Sequence, residues 1–170
     1  MKAPQQKLSA CLWFDDQALE AAEYYVSIFK NARLERITRY GKEGFEIHGH
    51  AEGTVMVAEF EIEGQTFTAL NGGPQFKFNE SISFQVHCSA QAELDYYWDR
   101  LSQDGDEQAQ QCGWLKDKYG VSWQVVPDDI ADLVGDPNSE QSQRAMRALL
   151  RMKKIDIETL RQAYEGRTPV

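Results

Sequence analysis

Two histidines, His48 and His50, flank a glycine in EIHGH. On an extended strand that spacing would put both imidazoles on one face, as two ligands of a divalent ion. No third ligand adjoins them, and Gly49 and Gly53 interrupt the segment, so the pair reads as loop histidines. His87 adjoins Cys88, but a Cys–His nucleophile pair needs an orienting group that its neighbours do not supply. Richer chemistry lies in CGWLKDKYGVSWQVVP, Cys112 to Pro127. If strand alternation runs through it, Cys112, Trp114 and Lys116 project to one side, as do Ser122, Gln124 and Val126. Lys116 is the one cation on that side that could lower the thiol's pKa, so Cys112 is either packed and inert or a nucleophile.

The same alternation sorts the other strands. Leu12 and Phe14, Ile82, Phe84 and Val86, Leu115, and Trp123 with Val125 are expected to face helices. Ser9, Cys11 and Trp13, with Ser81, Ser83, Gln85 and His87, then face the other way. A surface of two tryptophans, two thiols, two amides and a lysine suits a small, partly aromatic ligand better than a dry core. The candidate cavity residues are therefore Cys11, Trp13, Gln85, Cys112, Trp114, Lys116 and Gln124. Asn71, just before Gly72-Gly73-Pro74, is either a turn residue or a polar group at the pocket mouth. Trp13 and Trp114 read equally well as structural or as ligand contacts.

The elements that must hold these residues repeat. Leu8 to Phe14 reads as a strand, and Asp15 and Asp16 can accept from the free amides of a following helix. Leu19, Ala22, Val26 and Phe29 give that helix an apolar stripe ending near Lys30-Asn31. Strands follow at Arg33 to Tyr40, Val55 to Ile62 and Thr66 to Asn71, with a glycine-containing loop from Gly41 to Gly53. The order then recurs: a strand at Ile82 to His87, a helix at Gln91 to Gln103, and short strands near Glu107, Cys112 and Val121. Aligning Phe14 with Val86 places Glu23-Tyr24-Tyr25 on Asp95-Tyr96-Tyr97, and the second helix has its own stripe at Leu94, Tyr97 or Trp98, and Leu101. Duplication explains both pattern and offset, so the fold class is α+β with paired βαβββ modules, about 7–74 and 80–127.

Residues 128–170 form a C-terminal helical appendage after the turn cluster Gly135 to Ser139. Ser139 to Met152 and Ile155 to Tyr164 read as helices that pack on the domain or on a second subunit, so a homodimer is expected. Six Lys/Arg between Arg144 and Arg161, against two acids, form a solvated face or an anion site, with the former favoured.

A net charge of −9, from 18 basic and 27 acidic side chains, argues against a nucleic-acid partner. The chain can bury roughly 70% of its unfolded surface and needs no staples. No apolar run spans a membrane and MKAPQQKLSACLWF lacks a signal peptide's features, so no membrane is expected and the location reads as cytoplasmic. The cysteines, Cys11, Cys88 and Cys112, are odd in number and far apart, which argues against disulfides and zinc.

CLWFDDQALEAAEYYVSIF, FTALNGGPQFKFNESISFQV and CGWLKDKYGVSWQVVP closely resemble the PhnB-like branch of the vicinal oxygen chelate superfamily, the group of glyoxalase I, bleomycin-resistance proteins and extradiol dioxygenases. That branch is often labelled a 3-demethylubiquinone-9 3-methyltransferase domain. The resemblance spans Lys7 to Pro127 and extends into KIDIETLRQAYEG. It implies that the concave side of each sheet forms a pocket. It also implies four positions for a catalytic ion's ligands, which fall here near Ser9, at Thr68 or Ala69, near Ser81 and at Gln124. None is His, Asp or Glu, so neither a metal nor another cofactor is expected. A methyl donor would need a glycine-rich turn before a helix, whereas Gly72-Gly73 precedes Pro74 and a strand. The reading that follows is a small-molecule binding protein with a metal-free cavity. The alternative is an enzyme, a lyase, isomerase or transferase, including the methyltransferase of the family label.

Overall fold

The computed structural model describes residues 6–167, which fall into two compact units divided between Lys77 and Phe78. In the first, β1 (Ala10–Phe14), α1 (Ala18–Ile28), β2 (Ala32–Arg39), α2 (Phe45–His48), β3 (Val55–Ile62) and β4 (Gln65–Asn71) follow one another. The sheet order is β1-β4-β3-β2, with β1 and β4 parallel and the other pairs antiparallel. Leu12 and Phe14 of β1 are buried while Cys11 is exposed, as alternation requires.

Helix α1 departs from its expected detail at two points. Its buried residues are Ala18, Ala21, Ala22, Tyr25 and Ile28, so Leu19 and Val26 of the expected stripe are only half-buried. Three alanines let the backbone come close to the sheet, and that close approach, more than side-chain size, sets the inward face. Its first amide is not satisfied by Asp15 or Asp16. Ala18 N–H donates instead to Asn71 Oδ1 at 2.7 Å, from the far end of β4. The 41–53 loop holds α2, bracketed by Gly44 and Gly49 in the left-handed region, so His48 and His50 do not lie on a strand.

The second unit contains β5 (Phe84–Cys88), α3 (Gln91–Ser102), a 3-10 turn at Glu107–Ala109, β6 (Trp114–Lys116) and β7 (Ser122–Pro127). Its sheet runs β5-β7-β6, with β5 and β7 parallel and β6 antiparallel to β7. The repeat of the first unit is thus shorter by one strand, since the residues near Glu107 form the 3-10 turn. Leu94, Tyr97, Trp98 and Leu101 of α3 are all buried. Ile82 is not on β5 and is 73% exposed, which corrects its assignment to the helix-facing set. Helices α4 (Ile130–Val134), α5 (Glu140–Leu149) and α6 (Ile157–Glu165) complete the unit. Ser139 Oγ caps α5 by accepting from Ser142 N–H. Gln91 of α3 ties the tail down, donating to Ile155 O at 3.1 Å and accepting from Ile157 N–H at 2.8 Å. Three of the six tail cations have partners within the unit. Lys154 pairs with Asp95, Arg161 with Asp129, and Arg144 donates to Ala163 O and Tyr164 O at the end of α6.

The β6–β7 hairpin is organised by Asp117, which is 2% exposed. Its Oδ1 accepts from Tyr119 N–H at 2.9 Å and Val121 N–H at 3.0 Å, and its Oδ2 from Trp123 Nε1–H at 2.9 Å. A buried acceptor with three such donors fixes turn and strand together. Asp117→Ala leaves those donors unpaired, and we expect a loss of roughly 3 kcal/mol in urea unfolding. A loss below about 1 kcal/mol would show that the turn holds its shape without the carboxylate.

Candidate functional site

The face of the second sheet turned away from Leu115, Trp123 and Val125 is built by register. Gln85 pairs with Gln124 across β5 and β7, and Gln124 pairs with Trp114 across β7 and β6, so three side chains form one row. The amides are linked: Gln85 Nε2–H points at Gln124 Oε1 over 3.4 Å, and Gln124 Nε2–H donates to Ser83 Oγ at 2.9 Å. In the next row Lys116 is opposed to Ser122. Lys116 Nζ makes an ion pair with Glu80, which holds the Glu80 carboxyl below its usual range. Ser122 is buried and its Oγ has no hydrogen-bond partner. Glu80 and Ser122 are the site features that sequence alone did not single out. Parity already placed Ser122 on this face, but burial without a partner leaves no mark in sequence.

Cys112 does not belong to that row by strand geometry. Cys112 and Gly113 have φ of +53° and +85°, so the chain turns before β6 begins at Trp114 and alternation does not reach back to the thiol. Cys112 N–H donates to Met152 O and Gly113 N–H to Lys153 O, both at 2.8 Å, which joins the turn to the tail. Gln111 Nε2–H approaches the Cys112 sulfur at 3.4 Å.

In the first unit, Cys11 lies in register with Thr68, and Trp13 with Leu70. The Trp13 indole is committed within the unit: Nε1–H donates to Gly73 O at 2.9 Å, and the ring meets Phe76 edge-on at 4.9 Å. A Cβ on Gly72 would lie 2.2 Å from that ring, so ALNGGP needs its first glycine for the indole to lie on the backbone. Asn71 is 6% exposed, and beyond its bond to Ala18 it donates to Val55 O at 3.1 Å. Its backbone oxygen accepts from Tyr40 O–H. Asn71 is thus the last residue of β4, and its side-chain amide is used inside the unit.

The histidines cluster with Tyr40, whose ring lies 4.5 Å from each imidazole. His48 Nδ1 accepts from His50 N–H at 3.0 Å, and His48 Nε2 lies 3.3 Å from Glu43 O, so both nitrogens have protein partners. His87 is exposed at the β5 end of the sheet. Burial raises the Cys11 thiol pKa, and burial, then Glu93 and Asp128, push Cys88 up to about 12.

These residues do not fit a divalent ion or a nucleotide-like methyl donor. No group of three or more His, Cys, Asp or Glu that could hold a metal occurs among the described residues. Ser81 Oγ bonds Asn79, and Gln124 holds Ser83. The parallel ladders give neither Thr68 nor Ala69, the two positions expected from sequence, as the counterpart of Gln124. Ala69 is fully buried, and by register the counterpart of Gln124 is Leu70, with Thr68 two residues before it on the same face. Neither a leucine nor a threonine hydroxyl is a useful ligand of a divalent ion. Gly72 and Gly73 are occupied by Trp13, so they do not form an open anion-binding turn.

The model of the 3-demethylubiquinone-9 3-methyltransferase family matches residues 6–126, which leaves KIDIETLRQAYEG outside. A putative 3-demethylubiquinone-9 3-methyltransferase, PhnB protein, from Bacillus cereus is 34% identical; the alignment covers 72% of this chain and 99% of that one with a TM-score of 0.62. Protein PA1353 from Pseudomonas aeruginosa is 18% identical with a TM-score of 0.57 over 73% of this chain and 98% of that one, a likeness of fold. No curated protein matches the chain.

A thiol with so high a pKa stays protonated and inert at neutral pH. Iodoacetamide at pH 8 should therefore leave Cys88 unmodified in the folded protein, with labelling appearing only through the urea transition. Labelling at the rate of an unfolded control, read by peptide mass spectrometry, would contradict the burial that raises this pKa.

Proposed function

We propose that this chain, which belongs to the 3-demethylubiquinone-9 3-methyltransferase, PhnB-like family of the vicinal oxygen chelate superfamily, binds a small, partly aromatic organic molecule without a divalent ion. The supporting observation is the row of Gln85, Gln124 and Trp114 on the face of the second sheet opposite Leu115, Trp123 and Val125. An indole offers a flat apolar contact, and the linked amides offer both donors and acceptors at fixed places. Gln124 lies at one of the four family ligand positions, and a neutral amide there favours orientation of a ligand over polarisation of its oxygens. Catalysis would require acid–base power at the ligand, and the row itself offers amides and an indole, with the Lys116 ammonium already paired with Glu80 and the exposed His87 one step further along β5, opposite Val126.

A homodimer is part of the same reading. Leu150 at the end of α5 and Phe45 and Ile47 on α2 remain exposed, and such residues gain from burial against a second copy. Among the described residues, no helix is long and apolar enough to cross a membrane.

The decisive comparison is between two tryptophans. Trp123 is 4% exposed and bonded to Asp117, whereas Trp114 is half-buried on the outward face. Trp123→Ala should cost ~3–5 kcal/mol of stability, and Trp114→Ala much less while weakening binding of an aromatic probe such as 2-naphthamide. Equal destabilisation, with probe binding intact in Trp114→Ala, would remove this face from consideration. Native mass spectrometry of protein purified from its own cells checks the rest, with a dimer of the 19.4 kDa chain and no retained divalent ion as the expected result. A monomer at micromolar concentration, or one metal per chain, would count against the corresponding statement.

A further inference from the structure

We infer that this face takes its ligand as an anion, a small aromatic carboxylate whose acidic group displaces Glu80 from Lys116 and reaches the hydroxyl of Ser122. The inference rests on the binding face proposed above and adds the charge class of its ligand. Lys116 and Ser122 are directly opposed on β6 and β7, so their side chains leave the sheet together beside the Trp114–Gln124 pair. The Lys116 side chain is only 22% exposed, while its partner Glu80 is 60% exposed and sits between β4 and β5, outside any strand. An ion pair with so exposed a partner contributes little, and a ligand oxygen can replace it at small cost. Glu80 in effect occupies the place of an incoming carboxylate.

Ser122 supplies the independent observation. It is 2% exposed and its Oγ lacks any hydrogen-bond partner. A buried hydroxyl without an acceptor is unfavourable in the free protein, and one that gains an oxygen on binding adds to affinity. A carboxylate has two acceptor oxygens, one for Lys116 Nζ and one for Ser122 Oγ. Successive residues on one face of a strand lie roughly 7 Å apart. An aryl ring beside Trp114 with its carboxylate at Lys116 spans that step. The chain's net charge of −9 does not exclude an anion, because exposed charges beyond about 8 Å are screened at physiological salt.

The test uses the full chain and a matched pair of probes, 2-naphthoate and neutral 2-naphthamide, followed by the indole N–H resonance of Trp114. Wild type should bind the naphthoate about tenfold or more tightly than the amide, the scale of one charge-assisted hydrogen bond. Glu80→Gln should strengthen naphthoate binding severalfold and leave naphthamide unchanged, since it removes the competing carboxylate. Lys116→Met should reduce naphthoate to the level of the amide. Ser122→Ala should weaken naphthoate without lowering the urea midpoint, because its hydroxyl has no bond to lose in the free protein. If Lys116→Met fails to fold, Glu80→Gln and Ser122→Ala still decide the matter. Equal affinity for both probes, abolished by Trp114→Ala, would sink the anion inference while supporting the binding face. Absence of any shift with either probe would overturn both.

Discussion

The carboxylate of Asp117 is the constraint on which the second unit's surface depends. Its backbone N–H donates to Val121 O at 3.0 Å and its backbone O accepts from Gly120 N–H at 2.9 Å, while its side chain holds Tyr119, Val121 and Trp123. A one-residue slip of β6 against β7 would exchange the faces of every side chain in the strand. Trp114 and Lys116 would then point at α3, and Leu115 would point away from it. With only three residues in β6, the ladder alone is a weak guide to register. Anchoring the turn to the Trp123 indole links the hairpin to the core, and thereby places Trp114 beside Gln124 and Lys116 beside Ser122.

The two units start their first helix by different means. In the first, Asn71 reaches from the end of β4 to the Ala18 amide, a contact between residues far apart in sequence. In the second, the register counterpart of Asn71 is Val125, which has no amide to offer. There α3 has no side-chain cap at Ala90, and Glu93 of its first turn accepts instead from Ser89 N–H at 2.8 Å, just before the helix. The long-range cap ties the end of β4 to the start of α1, whereas the corresponding position on β7 carries a buried valine.

Much of this was legible from sequence, for reasons that differ by residue. Val86 and Trp123 stand between polar neighbours, and Leu115 and Val125 continue the same period of two, so their inward placement follows from the period of a strand. The α3 stripe is equally plain because its residues are large. The α1 face is hard to read because alanines carry little hydrophobic signal, although they allow the closest approach. The place of Cys112 does not follow from parity because a left-handed non-glycine residue breaks alternation without a glycine at its own position to announce it. LKDKYG gives no hint that the carboxylate of Asp117 is turned inward. The Gln85, Gln124, Trp114 and Lys116 alignment could be read from parity, whereas Glu80 as the partner of Lys116 could not, because it lies in an irregular segment.

Register equivalence also shows how far the two modules have diverged. Trp13 and Leu70 in the first unit hold the positions of Gln85 and Gln124 in the second, so an apolar pair stands where the other sheet has linked amides. Thr68 corresponds to Ser122, and its antiparallel partner Glu59 corresponds to Lys116. The charge at that place is therefore reversed. Glu59 is already neutralised by Arg36 from the neighbouring strand, at 2.7 Å. Lys116 has no neighbouring strand beyond β6, because the residues near Glu107 form a 3-10 turn instead. Loss of that strand removes the position from which a fixed counter-charge would come, and Lys116 is left with Glu80 from an irregular segment. The shortened repeat thus explains why an exchangeable cation belongs to the second sheet and not to the first.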